Sequence, residues 1–228
     1  MDEDVQAAAA RLVRRLKEGG HTITVAESCT GGLLASSFTD IAGASKWFNQ
    51  SWVTYSNESK IQELNVKAET LESKGAVSAM VAMEMAQGAR ERANASIAIS
   101  ITGIAGPGND GTSKKVGMVY VGIASSTWAN ADSTQIGGNR AENKIGFVHF
   151  ALLTAIRRYD IAMAKQEESD RAEDEARKSE ALAQAQFEMD RAKRDAATRE
   201  AAPWRDDDFD GDGKPTGSED ALASGVEW

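Results

Sequence analysis

"TITVAESCTGGLLASSFTDI", residues 22–41, decides how this chain is read. A β-branched run, Ile23 to Val25, has the composition of a short buried strand. It ends at Glu27, Ser28, Cys29 and Thr30, and the glycine pair Gly31–Gly32 follows. An apolar run then restarts at Leu33. A strand, a tight turn and a helix in immediate succession form the unit from which layered α/β domains are built.

The alternation continues on both sides. Val5 to Leu16 has helical spacing, with Leu12, Val13 and Leu16 as its apolar stripe, and Gly19–Gly20 stops it. Residues 51–56 ("SWVTYS") are strand-like, and 59–64 ("SKIQEL") form a short helix. Residues 78–93 form a helix with methionines and alanines on its buried side. Strands are expected at 96–103 ("SIAISITG") and 116–125 ("VGMVYVGIAS"), and a long helix at 141–160. The expected fold over residues 1–159 is therefore an α/β three-layer sandwich with a central sheet, its strand order open. Residues 160–202 should follow as a long exposed charged helix, and 203–228 as an acidic tail tipped with aromatics. Glu167–Arg171, Asp174–Lys178 and Asp190–Arg194 have the spacing of helix ion pairs, and Pro203 should stop the helix.

Charge separates the two parts. The whole chain carries −9, and residues 160–228 hold 20 of its 35 acidic and 10 of its 26 basic side chains. The front is nearly neutral, which gives no electrostatic reason to expect nucleic acid as a partner. A single cysteine, Cys29, rules out an intrachain disulfide and fits a reducing compartment. No run of about 18 apolar residues suggests a membrane span, and the opening residues do not read as a secretory signal. The expectation is a soluble, cytoplasmic protein.

Several residues are placed for chemistry. Ser28 lies where a strand exits into a helix, and the helix N-terminus offers unpaired N–H groups that can hold an oxyanion. The alternative is that Ser28 or Thr30 merely caps the helix. A serine nucleophile needs a base. His21 precedes the strand and His149 sits in an apolar helical run, so no Ser-His-Asp set is visible. A lysine of lowered pKa can replace histidine. Lys60, with Tyr55 nearby, lies at a strand end and helix start; the alternative is a solvated lysine and a core tyrosine. The run 100–117 ("SITGIAGPGNDGTSKKVG") suits a backbone cradle for an anion, with Lys114 and Lys115 beside it. Arg140, in "GGNR", can pair with a phosphate or only cap a loop.

In order and spacing, "TVAESCTGGLLASSFTDIAGAS", "VTYSNESK", "GAVS", "MAQGARERANASIAISITGIAGPG" and "VGMVYVGIAS" resemble the C-terminal domain of the competence-damage-inducible protein A family. The resemblance covers about residues 5–158. It implies a nicotinamide-nucleotide amidase: an enzyme that deamidates nicotinamide mononucleotide to nicotinic acid mononucleotide and ammonia, without metal or cofactor. By matching motif it implies Ser28 as nucleophile, Lys60 as general base and Tyr55 as assistant. Backbone N–H groups near Cys29 to Gly31 would hold the oxyanion. Thr30, Gly31, Thr102, Gly103, Ala105 and Gly106 would shape the pyridine-nucleotide pocket, and Arg140 would meet the phosphate. A homo-oligomer is implied too. This chain reads "KKVG" and "GGNR" where the family has "KPVG" and "GDR".

The tail supports a rival expectation: an amidase-like domain recruited for assembly, docking a protein partner through residues 160–228. Residues 208–219 also fit the spacing of a calcium-binding loop, although a solvated acidic segment is the simpler reading.

Overall fold

A computed structural model describes residues 2–109, 111 and 113–201. The calcium-loop spacing at 208–219, the Pro203 stop and the aromatic-tipped tail lie outside those residues. Two compact units are present, residues 1–164 and a second beginning at Lys165.

In chain order the elements are α1 (Glu3–Glu18), β1 (Ile23–Glu27), α2 (Leu33–Thr39), β2 (Phe48–Val53), α3 (Asn57–Leu64), α4 (Ala68–Lys74), α5 (Ala79–Ala93), β3 (Ile97–Gly103), β4 (Met118–Ala124), β5 (Ala129–Gln135) and α6 (Arg140–Ala201). The five strands form one sheet in the order β2-β1-β3-β4-β5. β1 runs parallel to both β2 and β3, while β4 and β5 add antiparallel. The reason is the connections. Helices carry the chain from β1 to β2 and from β2 to β3, as parallel pairing requires, whereas β3, β4 and β5 follow one another without a helix.

Alternation along the strands divides the core in two. Ile23, Val25, Ile99, Ile101, Val119 and Val121 face α1, α2 and the start of α6. Ala26, Ala98 and Ala124 face α3, α4 and α5. The first face is branched and bulky. The second is small, and α5 therefore lies close on the sheet: Ser100 Oγ donates to the carbonyl of Ala82, and a Cβ at Gly122 would strike that same oxygen. Helices thus cover both faces of the sheet, giving the three expected layers.

Some local expectations change. The helix 78–93 buries Val81, Ala82, Met85, Ala86 and Ala89, but Met80 is 45% exposed. β2 begins and ends three residues earlier than "SWVTYS", which leaves Tyr55 beyond the strand. α4 and β5 were not expected. β5 is the polar edge strand "ANADSTQ", defined by its pairing with β4 rather than by apolar alternation.

In the second unit, residues 165–201 are helical and exposed throughout, including Leu182, Phe187 and Met189. Among the described residues its ion pairs are Asp174–Arg177 and Arg191–Asp195. The three pairs expected from spacing are not formed; Arg194 instead donates to the backbone carbonyl of Asp190. No helix among the described residues is long and apolar enough to cross a membrane.

Candidate active site

The parallel strands β1, β2 and β3 end side by side, and their carboxyl ends carry the residues singled out above. Ser28 follows β1, Tyr55 lies two residues past β2, and Gly103 closes β3. The chain leaves β1 and β3 toward opposite sides of the sheet, and such a point opens a crevice between loops.

Glu27 builds the turn. Its side chain is fully buried, and it accepts three backbone hydrogen bonds, from Gly32 at 3.0 Å, Leu34 at 3.1 Å and Ala35 at 2.8 Å. Glu27, not Ser28 or Thr30, is therefore the anionic cap of α2. Three of the donors at the α2 N-terminus are thereby taken, while the N–H of Leu33 is not. Gly31 is occupied as well, donating to the carbonyl of Ser28 at 3.1 Å. Among the described residues, the N–H groups of Cys29, Thr30 and Leu33 make no backbone hydrogen bond, and the first two directly follow the serine. The Thr30 hydroxyl beside them is fully buried without a partner. Glu27→Ala leaves three donors unmet, and urea unfolding should show a loss of about 3 kcal/mol.

Ser28 and Lys60 meet. Lys60 Nζ stands 3.3 Å from Ser28 Oγ, although 32 residues separate them. α3 brings the lysine in, and Ser56 caps that helix by accepting from the Ser59 N–H. Lys60 is 1% exposed, so it is no solvated helix lysine. Its Nζ also faces the carbonyls of Thr54 at 2.9 Å, Tyr55 at 3.3 Å and Ser56 at 3.5 Å. A neutral amine has two hydrogens and one lone pair. The ammonium form donates to Ser28 Oγ as well as to the carbonyls. Once neutral, the amine can leave its two hydrogens on carbonyls and turn its lone pair to the Ser28 hydroxyl, the one partner that carries a hydrogen. Burial pulls the Lys60 pKa down to about 8, against the opposing pull of Cys29 and Glu58. Cys29 lies next to the serine, and burial pushes its thiol up to about 11. Burial thus keeps it in the thiol form at neutral pH, and the hydrogen bond from Lys60 goes to the serine, not to it.

Tyr55 is not a core aromatic: its ring is 59% exposed. Its carbonyl, not its hydroxyl, touches Lys60. The hydroxyl accepts a 2.8 Å bond from Arg140 Nη2, and Arg140 Nη1 donates to the carbonyl of Gly106 at 2.6 Å. Arg140 thus links the loops after β2 and β3 across the crevice. Tyr55→Phe breaks one side of that link and leaves the lysine's carbonyl in place. It should raise KM about fivefold and leave kcat within about threefold; a hundredfold fall in kcat would mean the hydroxyl moves a proton.

The residues at the end of β3 and in the loop after it bond to the segments around them. Thr102 Oγ1 donates to the carbonyl of Ala76 at 2.8 Å, fixing the loop before α5. Lys114 donates to the carbonyl of Lys74 at the end of α4 and to that of Val77 in the same loop. A side chain on Gly103 would strike the Met118 carbonyl, so the glycine serves the β3–β4 contact. Gly106 has φ +92° and precedes the cis-Pro107. The Ala105 carbonyl accepts from Asn143 Nδ2 at 3.1 Å, which pins α6 to this loop. His21 lies away from all this, bonded to Tyr159. Sequence reading missed Glu27 as the cap and Asn143 as the tie.

The family model for the CinA C-terminal domain matches residues 5–159. A putative competence-damage inducible protein of Acetivibrio thermocellus is 47% identical over 139 residues, covering 61% of this chain and 33% of that one. A CinA-like protein of Chlorobium limicola is 48% identical over 147 residues, covering 62% and 34%. This chain thus spans about a third of the length of the curated relatives it matches. Among solved structures, a competence/damage inducible protein from Agrobacterium tumefaciens superposes with a TM-score of 0.65 at 37% identity, covering 69% of this chain and 98% of that one. A CinA superfamily protein from Klebsiella pneumoniae gives 0.65 at 33%, covering 68% and 98%. With the match running from α1 into α6 and taking in every site residue described, this chain belongs to the CinA C-terminal domain family.

Proposed function

We propose that this chain hydrolyses the carboxamide of nicotinamide mononucleotide, giving nicotinic acid mononucleotide and ammonia. The observation that carries the reading is the buried Ser28–Lys60 contact at 3.3 Å, with unpaired N–H groups on the two residues after the serine. Neutral Lys60 takes the proton as Ser28 Oγ attacks the amide carbon. The oxyanion is held by the N–H groups of Cys29 and Thr30. The lysine returns the proton to the leaving nitrogen, which departs as ammonia. In the second half, Lys60 takes a proton from water as the water attacks the acyl-serine, that proton goes back to Ser28 Oγ as the acid leaves, and the acid gives its remaining proton to solvent.

The test is ammonia release from a panel of nicotinamide mononucleotide, nicotinamide riboside, free nicotinamide and glutamine. The mononucleotide should react fastest. No release from any of the four would end the amidase reading. This chemistry makes no use of residues 165–201, whose exposed Leu182, Phe187 and Met189 favour a separate docking role. Deleting residues 165–228 should then leave ammonia release intact and change only assembly state or partner binding.

A further inference from the structure

The amino ends of the parallel strands carry a second hollow. Leu16, Lys17, His21, Ala42, Lys46 and Trp47 line a cavity of about 420 Å³. The end of α1, the residues just before β1 and those just before β2 meet there. Ser28, Tyr55 and Gly103 lie past the other ends of these strands, so the hollow is separate from the crevice. The five residues of β1 alone rise about 16 Å. The volume suits a small molecule, for which sites run from about 300 to 1,000 Å³.

One wall is apolar. Leu16 is fully buried, and the Trp47 ring is fixed against Phe38 and Phe48. The rim is basic. Lys17 and Lys46 are exposed, and among the described residues neither forms an ion pair or a side-chain hydrogen bond. No carboxylate among the described residues lines the cavity. Glu18, beside Lys17 in the chain, faces Arg14 instead. Two ammonium groups therefore share one opening without a counter-charge.

Two ring nitrogens lack a partner. Trp47 Nε1 is buried with no acceptor among the described residues, and a buried donor in a cavity wall calls for one. The state of His21 follows from Tyr159. That hydroxyl has a single hydrogen, and it goes to the carbonyl of Arg15 at 3.0 Å. The 3.0 Å contact between the hydroxyl and His21 Nδ1 must then be donated by the ring. Nδ1 is thereby committed, and Nε2 keeps no partner among the described residues. The wall is tightly built: a side chain on Gly19 would strike both the Tyr159 hydroxyl and His21 Nδ1.

We infer that this cavity binds a small aromatic acid. Its flat ring lies against Trp47 and Leu16, and its carboxylate answers Lys17, Lys46 and the indole N–H. An inorganic anion would meet the lysines and leave the apolar wall bare. A neutral ring would cover the wall and leave the charges and the donor unanswered. None of these groups belongs to the crevice, so the inference stands apart from the amidase reading.

The experiment is calorimetric titration of the full chain with naphthalene-2-carboxylate, naphthalene-2-methanol and inorganic phosphate. The carboxylate should bind at least about tenfold more tightly than either of the others. Lys17→Gln with Lys46→Gln should weaken it about tenfold, and Trp47→Phe, which keeps a ring and removes the N–H, about fivefold. Arg140→Ala, at the other end of the sheet, should leave its Kd within about twofold. Because both lysines are exposed, their replacement keeps the fold; if Trp47→Phe does not fold, the lysine pair alone decides. No binding of the carboxylate by wild type at millimolar concentration overturns the inference. So does equal binding of the methanol, an unchanged Kd in the lysine pair or in folded Trp47→Phe, or a loss in Arg140→Ala as large as that in the lysine pair.

Discussion

Ser28→Ala should release ammonia from nicotinamide mononucleotide about 10⁴-fold more slowly than the wild type, with its fold intact. Removing a nucleophile leaves only what binding and oxyanion donors supply, and that residue of rate is small. The donors themselves are undisturbed by the change, because the Cys29 and Thr30 N–H groups belong to the backbone. The fold should persist because Ser28 Oγ makes one side-chain hydrogen bond, the one from Lys60, and the Ser28 backbone is held separately by the carbonyl of Ile101. Circular dichroism and thermal melting check that point. Cys29 provides the control. If the neighbouring thiol were the true nucleophile, Cys29→Ala would abolish activity and Ser28→Ala would not. Burial holds that thiol protonated, so Cys29→Ala should keep at least about a third of the wild-type rate. An unchanged rate in Ser28→Ala would remove the mechanism outright.

The features that were legible in the sequence are those whose cause is local. β1 could be read because Ile23 and Val25 are branched and a glycine pair follows them. α1 could be read because Leu12, Val13 and Leu16 repeat at helical spacing. β5 could not, since "ANADSTQ" has no apolar period and becomes a strand only by pairing with β4. The site divides in the same way. Ser28 was legible from its place at the turn, but its partner was not. Lys60 lies in "NESKIQEL", a polar helix in which a lysine reads as solvated; its burial comes from α3 packing its inner face beneath the crevice. The cap of α2 was misread for a related reason. Local rules favour Ser or Thr just before a helix, yet Gly32 there has φ +95°, and the carboxylate of Glu27 reaches the amides from the strand below. Only the family resemblance joined residues 28 and 60 in advance, and it could not show which backbone amides stay unpaired.

Lys60→Met should lower kcat by about 10³-fold or more, and should change how stability depends on pH. The first effect follows from the proton. With a pKa of about 8, roughly a quarter of the lysine is neutral at pH 7.5, against about 0.1% at the ordinary value. Wild-type kcat/KM should therefore rise with pH and level off above about 8 as the base becomes available. Lys60→Arg should fail as fully as the methionine, because a guanidinium does not deprotonate in this range. The second effect has a definite sign. Folding lowers the lysine's pKa, so between pH 8 and 10.5 the unfolded chain binds more protons than the folded one, and stability rises with pH across that window. The penalty for burying the charge is fully present below pH 8 and gone above 10.5. Lys60→Met has no such proton, so wild type should gain about 2 kcal/mol on the mutant between pH 8 and pH 9.5, measured by urea unfolding at each pH. A constant gap between the two proteins, together with a flat pH–rate profile, would mean that the amine at position 60 titrates as an ordinary surface lysine. The buried-base mechanism would then have no base.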